Sequence, residues 1–374
     1  MSLSLGIVGL PNAGKSTLFN ALSRGHAAVA PYPFTTIDPN VGVAQVPDER
    51  LDRLAALLRP PRVVPATIEF VDIAGLVRGA SRGEGLGNQF LGHIRNVDAV
   101  VLVVRAFRDD DIPHPQGAID PASDADLLLT ELQLADLQTV ANRIDRLHTQ
   151  ARSGDRFAQQ EVAALQAIEA RLAAGQLARP AGSGDDPAEA AALEGLLTAK
   201  PFLIVANVDE DELAAASSGV TGNDELPLLR PLGDLARRMG TSVVPVAAKL
   251  ELELNELDPR DARDYLASVG VRERGLEALK RESYRLLGLI TFYTTTGGRE
   301  IRAWSVPDGT TAPRAAGRIH SDMERGFIRA EVVAAEDLLA YGSVASAREH
   351  GHVRIEGKEY VVRDGDVIHF RFGV

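Results

Sequence analysis

The sequence predicts an α/β protein built on a doubly wound, mostly parallel sheet, interrupted by a helical insertion and followed by a small β-rich module. Three observations carry this. Apolar runs at 3–8, 66–73, 99–107, 201–206 and 242–248 alternate with helical segments, as buried parallel strands do. More than ninety residues separate the runs at 99–107 and 201–210, too many for one crossover helix. From about residue 286 the character changes to short alternating strands.

Composition sets the frame for these elements. The 374 residues are 45% hydrophobic and 25% charged, ordinary for a soluble protein of one to three domains. There is no cysteine, which excludes disulfides, thiolate chemistry and Cys-bound zinc or iron–sulfur sites. No membrane-length apolar run and no signal-peptide pattern at Met1–Gly6 are present, so a cytoplasmic protein is expected. The net charge of -12 argues against a chain that coats nucleic acid by bulk attraction. Arginine outnumbers lysine 35 to 5, yet Lys15 and Lys249 fall inside motifs.

The first strand, "LSLGIV", runs into Gly9-Leu10-Pro11-Asn12-Ala13-Gly14-Lys15-Ser16 and then the helical "TLFNALS". Strand, G-x-x-x-x-G-K-S loop and helix are the context in which this pattern binds phosphate. Glycines let backbone N–H groups turn inward, and the helix N-terminus adds its dipole. Asn12, Ala13, Gly14, Lys15, Ser16 and Thr17 are therefore expected to hold a nucleotide's phosphates, with the Ser16 hydroxyl on Mg²⁺.

The next elements follow in the order of a nucleotide switch. "PYPFTTIDPN" is a polar loop whose Thr36 can complete the metal shell. "TIEFVDI" ends in Asp72-Ile73-Ala74-Gly75, where Asp72 can hold Mg²⁺ through water and the Gly75 N–H can sense the γ-phosphate. Leu76 follows, in place of the glutamine that often orients water. Lys15, Gly75 and His114 are the catalytic candidates, His114 lying in the Asp-rich loop "RDDDIPHPQG" after the 99–107 strand. A histidine there could position water or steady γ-phosphate charge; a solvated loop histidine is the other reading.

The strand "PFLIVAN" enters Asn207-Val208-Asp209-Glu210, where a guanine reader would offer Asn-Lys-x-Asp. Guanine presents two donors, N1–H and the 2-amino group, which one carboxylate accepts together. Adenine presents an acceptor at N1, which the same carboxylate would face as a lone pair. Glu210 is one methylene longer and need not sit there. ATP is thus the first expectation, with a shifted guanine reading through Asp209 or Glu210 and a GTP preference as the alternative. Asn207, Glu210 and Ala248, the last in the "AAK" that the 242–251 run carries, are expected at the base.

The insertion carries Leu134, Leu137, Val140, Ile144 and Leu147, then, after the turn "RSGD", Val162, Leu165, Ile168 and Leu172. Spacings of three and four predict an antiparallel, coiled-coil-like hairpin. Arg143, Arg146, Arg152 and Arg156 gather toward its turn, a candidate RNA-contact tip or a solvated charged end. In the C-terminal region "EIRAWSV", "GFIRAEVV" and "EYVVRDGDVIHFRF" read as strands, with Asp364–Asp366 as a hairpin turn. Arg314, Arg318, His320, Arg325 and Arg329 cluster there and could meet RNA backbone or serve domain packing.

GLPNAGKST, PFTTIDPNVG, DIAGLVRGASRGEGLGNQFL, NVDE and IHSDMERGFIRA together resemble the YchF/Ola subfamily of Obg-related P-loop NTPases, over essentially the whole chain. The resemblance implies a discontinuous G domain at 1–120 and 200–285, a helical insertion at 121–199 and a β-grasp TGS domain at 286–374. It implies a Mg²⁺-dependent nucleotide hydrolase that favours ATP over GTP and associates with the large ribosomal subunit. In related families the Asn12 pattern accompanies potassium stimulation, so K⁺ is a candidate second ion. A guanine-specific GTPase of ribosome assembly and a nucleotide-sensing ribosome- or RNA-binding module with negligible turnover remain alternatives.

Overall fold

The structure, a computed structural model, describes residues 3–24, 40–73, 86–179, 187–217 and 226–373. The chain divides into two compact units, 1–44 with 69–282 and 45–68 with 283–374. It opens with β1 (Ser4–Gly9), α1 (Lys15–Arg24) and β2 (Val41–Gln45). It then passes through α2 (Glu49–Leu58) and β3 (Arg62–Val64) and returns as β4 (Thr67–Asp72), α3 (Leu86–Arg95) and β5 (Ala99–Arg105). The insertion follows as α4 (Pro121–Arg152), α5 (Arg156–Ala173) and α6 (Pro187–Leu193). The first unit is completed by β6 (Phe202–Asn207), α7 (Glu210–Ser217), α8 (Leu229–Met239), β7 (Val243–Val246), α9 (Ala248–Leu254), α10 (Pro259–Ser268) and α11 (Gly275–Leu286).

The first unit's sheet has strand order β2-β4-β1-β5-β6-β7. Its pairs β1–β4, β1–β5, β5–β6 and β6–β7 are parallel. Every residue of β5 and β6 is buried, which explains their unbroken apolar sequences. Parallel register brings the strand C-termini to one edge, where ligand loops of such sheets gather. The sequence expectation of a doubly wound sheet holds.

In the insertion, Asp120 and Asp155 cap α4 and α5, each side chain accepting first-turn N–H groups, and Pro121 sits where a missing N–H costs nothing. Val140, Leu165, Ile168 and Leu172 form the seam, with Leu137, Ile144 and Leu147 against it. Leu134 departs from the expected stripe and is 46% exposed. At that level α4 packs on the sheet core through Leu128, Leu132 and Ala135, so position 134 faces away. Arg143 also departs from the expected tip: it donates to the carbonyls of Ala191, Ala192 and Glu194 and pairs with Glu161 at 2.7 Å.

The second unit adds β8 (Leu289–Thr296), β9 (Glu300–Pro307), α12 (Ala312–Ile319), α13 (Ser321–Arg325), β10 (Phe327–Ala334), α14 (Ala335–Tyr341), α15 (Val344–Glu349), β11 (Arg354–Glu356) and β12 (Asp366–Phe372). Its sheet order is β11-β10-β12-β8-β9-β3. The sequence boundaries put residues 45–68 in the nucleotide domain; here they fold with 283–374. β3 runs parallel to β9 with Arg62 opposite Glu300. Asp48 caps α2 and accepts the Tyr293 hydroxyl at 2.5 Å, while Arg50 reaches Asp364 at 2.6 Å. Burial, then the bond to Asp48, pushes the Tyr293 hydroxyl's pKa well up. The residues Asp364–Asp366 precede β12 without closing a hairpin, because β12 pairs with β10 and β8 instead.

One buried carboxylate ties the insertion to the strand that follows it. Asp136, fully buried on α4, accepts the Leu197 N–H at 2.8 Å and the N–H and hydroxyl of Thr198 at 2.7 Å each. Asp136→Ala leaves these donors buried and unpaired, so it should cost about 3 kcal/mol, read as a lower urea midpoint by circular dichroism.

Candidate functional site

At the C-terminal edge of the first sheet lies a cleft of about 590 Å³ lined by residues that include Asn12, Gly14, Thr17, Phe107, Asn207, Glu210 and Lys249. The phosphate loop closes one side. Gly9 has no room for a side chain, since a Cβ would stand 2.4 Å from the Val103 carbonyl oxygen. Gly14 has φ +88°, and a Cβ there would stand 2.1 Å from Asn207 Nδ2. Asn12 adopts the left-handed conformation at φ 64° and donates to the Pro113 carbonyl at 3.0 Å. The first-turn N–H groups of α1 follow directly, donors that an α-helix cannot satisfy internally.

Lys15 Nζ donates to the Leu10 carbonyl at 2.9 Å, curling over its own loop. Burial pushes its pKa down, and the charge of Asp72 opposes that. Burial pushes the Asp72 carboxyl's pKa up, and the charge of Lys15 opposes that. Among the described residues the Asp72 carboxylate accepts no hydrogen bond, and the exposed Ser16 hydroxyl makes none. Two hard oxygens left for a ligand suit Mg²⁺. Thr36, Gly75 and Leu76 lie outside the described residues.

Asn207 is where the sequence places a base contact; it lines the cleft, and its amide also bridges two loops. Only 5% exposed, it donates through Nδ2 to the Ala13 carbonyl at 3.0 Å and accepts the Ala248 N–H through Oδ1 at 3.1 Å. The backbone of Ala13 and of Ala248 thus anchors this bridge. Val208 is 3% exposed and packs into the core, in place of a stem that would cover the base. Asp209 is occupied too: its Oδ1 accepts the Glu212 N–H at 3.0 Å in the first turn of α7. Glu210 lines the cleft, and its Oε1 accepts the Tyr265 hydroxyl at 2.7 Å.

The loop after β5 is shaped by Arg105, 2% exposed at the strand's end. Its guanidinium donates to the carbonyls of Phe107, Ile112 and Asp109 and lies over the Phe107 ring, 4.5 Å from the centroid. His114 is not a cleft-lining residue. Its side chain is 5% exposed; Nε2 meets Asp124 Oδ2 at 2.9 Å, and Nδ1 accepts the Gln116 N–H at 3.2 Å. Accepting at Nδ1 assigns the proton to Nε2. Burial pushes the Asp124 carboxyl's pKa up, against the hydrogen bond from His114. Sequence reasoning did not assign Phe107, Arg105 or Tyr265 to the site. The first two ended a strand that read only as core, and the third carries no local motif.

The comparisons with known proteins fit this site. A family model described as "50S ribosome-binding GTPase" matches residues 4–143. The YchF-GTPase C-terminal model, described as a protein of unknown function, matches 289–373. The chain is 50% identical over 374 residues to the protein named "Ribosome-binding ATPase YchF" of Bacillus subtilis (strain 168), covering 100% of both chains. To the protein of the same name from Escherichia coli O157:H7 it is 45% identical, again over 100% of both. Among solved structures it resembles the Schizosaccharomyces pombe YchF GTPase at 33% identity and TM-score 0.86, covering 99% of this chain and 98% of that one.

The Asn207 bridge gives a prediction. Asn207→Ala removes two buried hydrogen bonds that hold the phosphate loop against the β7–α9 connection. Affinity for non-hydrolysable ATP and GTP analogues should fall by about 30-fold, the fold-change of two net hydrogen bonds of roughly 1 kcal/mol each. Because the amide supports the loop instead of reading the base, calorimetry should find the loss equal for both nucleotides.

Proposed function

This chain belongs to the YchF family of P-loop nucleoside triphosphatases, and on that premise we propose that it is a Mg²⁺-dependent hydrolase that prefers ATP to GTP and works in association with the ribosome's large subunit. The observation that carries the base preference is the fate of the two carboxylates beside Asn207. Both line the cleft, but Asp209 holds a helix N–H through Oδ1 and the Tyr265 hydroxyl holds Glu210 Oε1, so each carboxylate already has a partner that guanine's paired donors would have to compete with. A polar ligand that finds no partners is penalised, which weighs against guanine more than adenine.

In this reading the backbone of 12–17 and Lys15 hold the phosphates, and Ser16, Thr36 and Asp72 hold the metal. Bound Mg²⁺ supplies charge neutralisation at the phosphates. Gly75 would sense the γ-phosphate. Asn12, whose Nδ2 is engaged with Pro113, keeps its carbonyl oxygen as a donor for K⁺ beside the phosphates.

The partner assignment takes support from the names of the relatives and from the insertion's tip. Phe157, the second residue of α5, is 84% exposed. Arg146, Arg152 and Arg156 stand on the same end of the hairpin, with no carboxylate in ion-pair range among the described residues. An aromatic face amid unpaired guanidinium groups suits an unpaired RNA base and its phosphates. The exposed Arg329 of the second unit offers a further phosphate contact.

Calorimetry in potassium buffer with Mg²⁺ should find an ATP analogue bound tenfold or more tighter than its GTP counterpart, about 1.4 kcal/mol. Tighter GTP binding would establish the guanine-specific alternative. Single-turnover hydrolysis should accelerate when ribosomes are added; binding without acceleration would favour the nucleotide-sensing alternative. We assign water positioning to His114, which must first leave Asp124. His114→Ala should lower the single-turnover rate by about a hundredfold while ATP-analogue affinity stays within about twofold.

A further inference from the structure

We propose that Tyr265 sets base specificity by drawing the Glu210 carboxylate away from the base. This rests on the reading of the cleft as a purine site. Glu210 lines the cleft and stands, in Asn207-Val208-Asp209-Glu210, at the motif position where a guanine reader carries the carboxylate that accepts N1–H and the 2-amino group together. It is the first residue of α7, so its backbone is fixed by the helix and only its side chain can choose a direction. The Tyr265 hydroxyl, on α10, makes that choice by donating to Oε1 at 2.7 Å.

The neighbours of Glu210 in the same loop are tied by other bonds. Asn207 has both amide atoms engaged, Val208 is in the core, and Asp209 holds the Glu212 N–H. Glu210 is therefore the loop's one carboxylate whose direction a single side chain decides. The pKa shift agrees in sign: the bond to Glu210, then burial, pushes the Tyr265 hydroxyl up, as donation to a carboxylate requires. Guanine loses its two-point acceptor under this arrangement, whereas adenine, with its N1 lone pair, loses a repulsion.

Tyr265 does not line the cleft, so it acts as a positioning residue, and a conservative change isolates it. Tyr265→Phe keeps the ring, which is 39% exposed, and removes only the donor. The experiment is calorimetry with ATP and GTP analogues on the full chain, the Tyr265→Phe and Glu210→Ala variants and their combination. Tyr265→Phe should tighten GTP-analogue binding by about fivefold, the worth of one net hydrogen bond, with ATP-analogue binding changed by less than about twofold. In the Glu210→Ala background the same change should leave the ATP-to-GTP ratio where it was, a coupling that a purely structural tyrosine would not show.

The wild-type ratio alone tests the ATP preference, and the Tyr265-dependent change in that ratio tests this inference. An ATP preference that Tyr265→Phe leaves untouched would overturn the role of Tyr265 and spare the proposed function. Weaker GTP-analogue binding in Tyr265→Phe would also overturn it, because the tyrosine would then be presenting Glu210 to guanine. A GTP-preferring wild type would overturn the ATP reading whatever the variant does.

Discussion

The nucleotide cleft depends on one amide. Asn207 ends a strand buried along its whole length and places its Nδ2 and Oδ1 between two backbone groups from elsewhere in the chain. One belongs to the phosphate loop, the other to the N-terminus of α9. Both bonds are shielded from water, where an unmade partner costs more than a made one gains. The bridge also dictates the glycine beside it. Gly14 takes a positive φ and leaves no space for a Cβ because the Asn207 amide already fills it. Phosphate loop and base loop are consequently one packed unit, and the residue most easily read as a base contact supports both.

Much of this was legible in the sequence. The phosphate loop announces itself because its geometry demands glycines and its chemistry demands Lys-Ser at fixed spacing. Strands β1, β5 and β6 stand out because burial on both faces removes polar residues, whereas β4 and β7 alternate. Legibility fails where the partner is remote. β3 pairs with a strand well over two hundred residues later, so nothing near Arg62–Val64 says which unit owns it. The hairpin stripe was read one turn too far, at Leu134, because α4 exchanges one packing partner for another along its length.

The site shows the same division. Lys15, Ser16 and Asp72 could be proposed from spacing because each belongs to a contiguous motif. Tyr265 could not, since its meaning depends on α10 passing within hydrogen-bond reach of Glu210. Arg105 looked like a strand-end cation in an apolar run. A guanidinium 2% exposed needs compensation, and it finds three carbonyls of the following loop. That loop's path is thereby fixed, and Pro113 in turn meets Asn12.

The β5 loop therefore has two parts with different energetics. Residues 107–113 are held by a buried cation, and rearranging them would strand a charge in the core. His114 is held by Asp124 and one N–H. Asp124 is itself buried, so releasing the imidazole leaves its carboxyl without that donor, a cost that protonation relieves because burial pushes its pKa up. Releasing His114 breaks two hydrogen bonds and leaves the Asp124 carboxyl buried, whereas moving Arg105 breaks three carbonyl contacts at once and cannot be relieved by loss of charge. Any motion that brings the imidazole toward the phosphates should accordingly pivot after Pro113, leaving the cleft wall intact. On the proposed role of His114, the wall would keep the nucleotide in register while the imidazole approaches it. A hydrolase that lacks the glutamine after Asp72-Ile73-Ala74-Gly75 needs a substitute of this kind, delivered late and from outside the cradle.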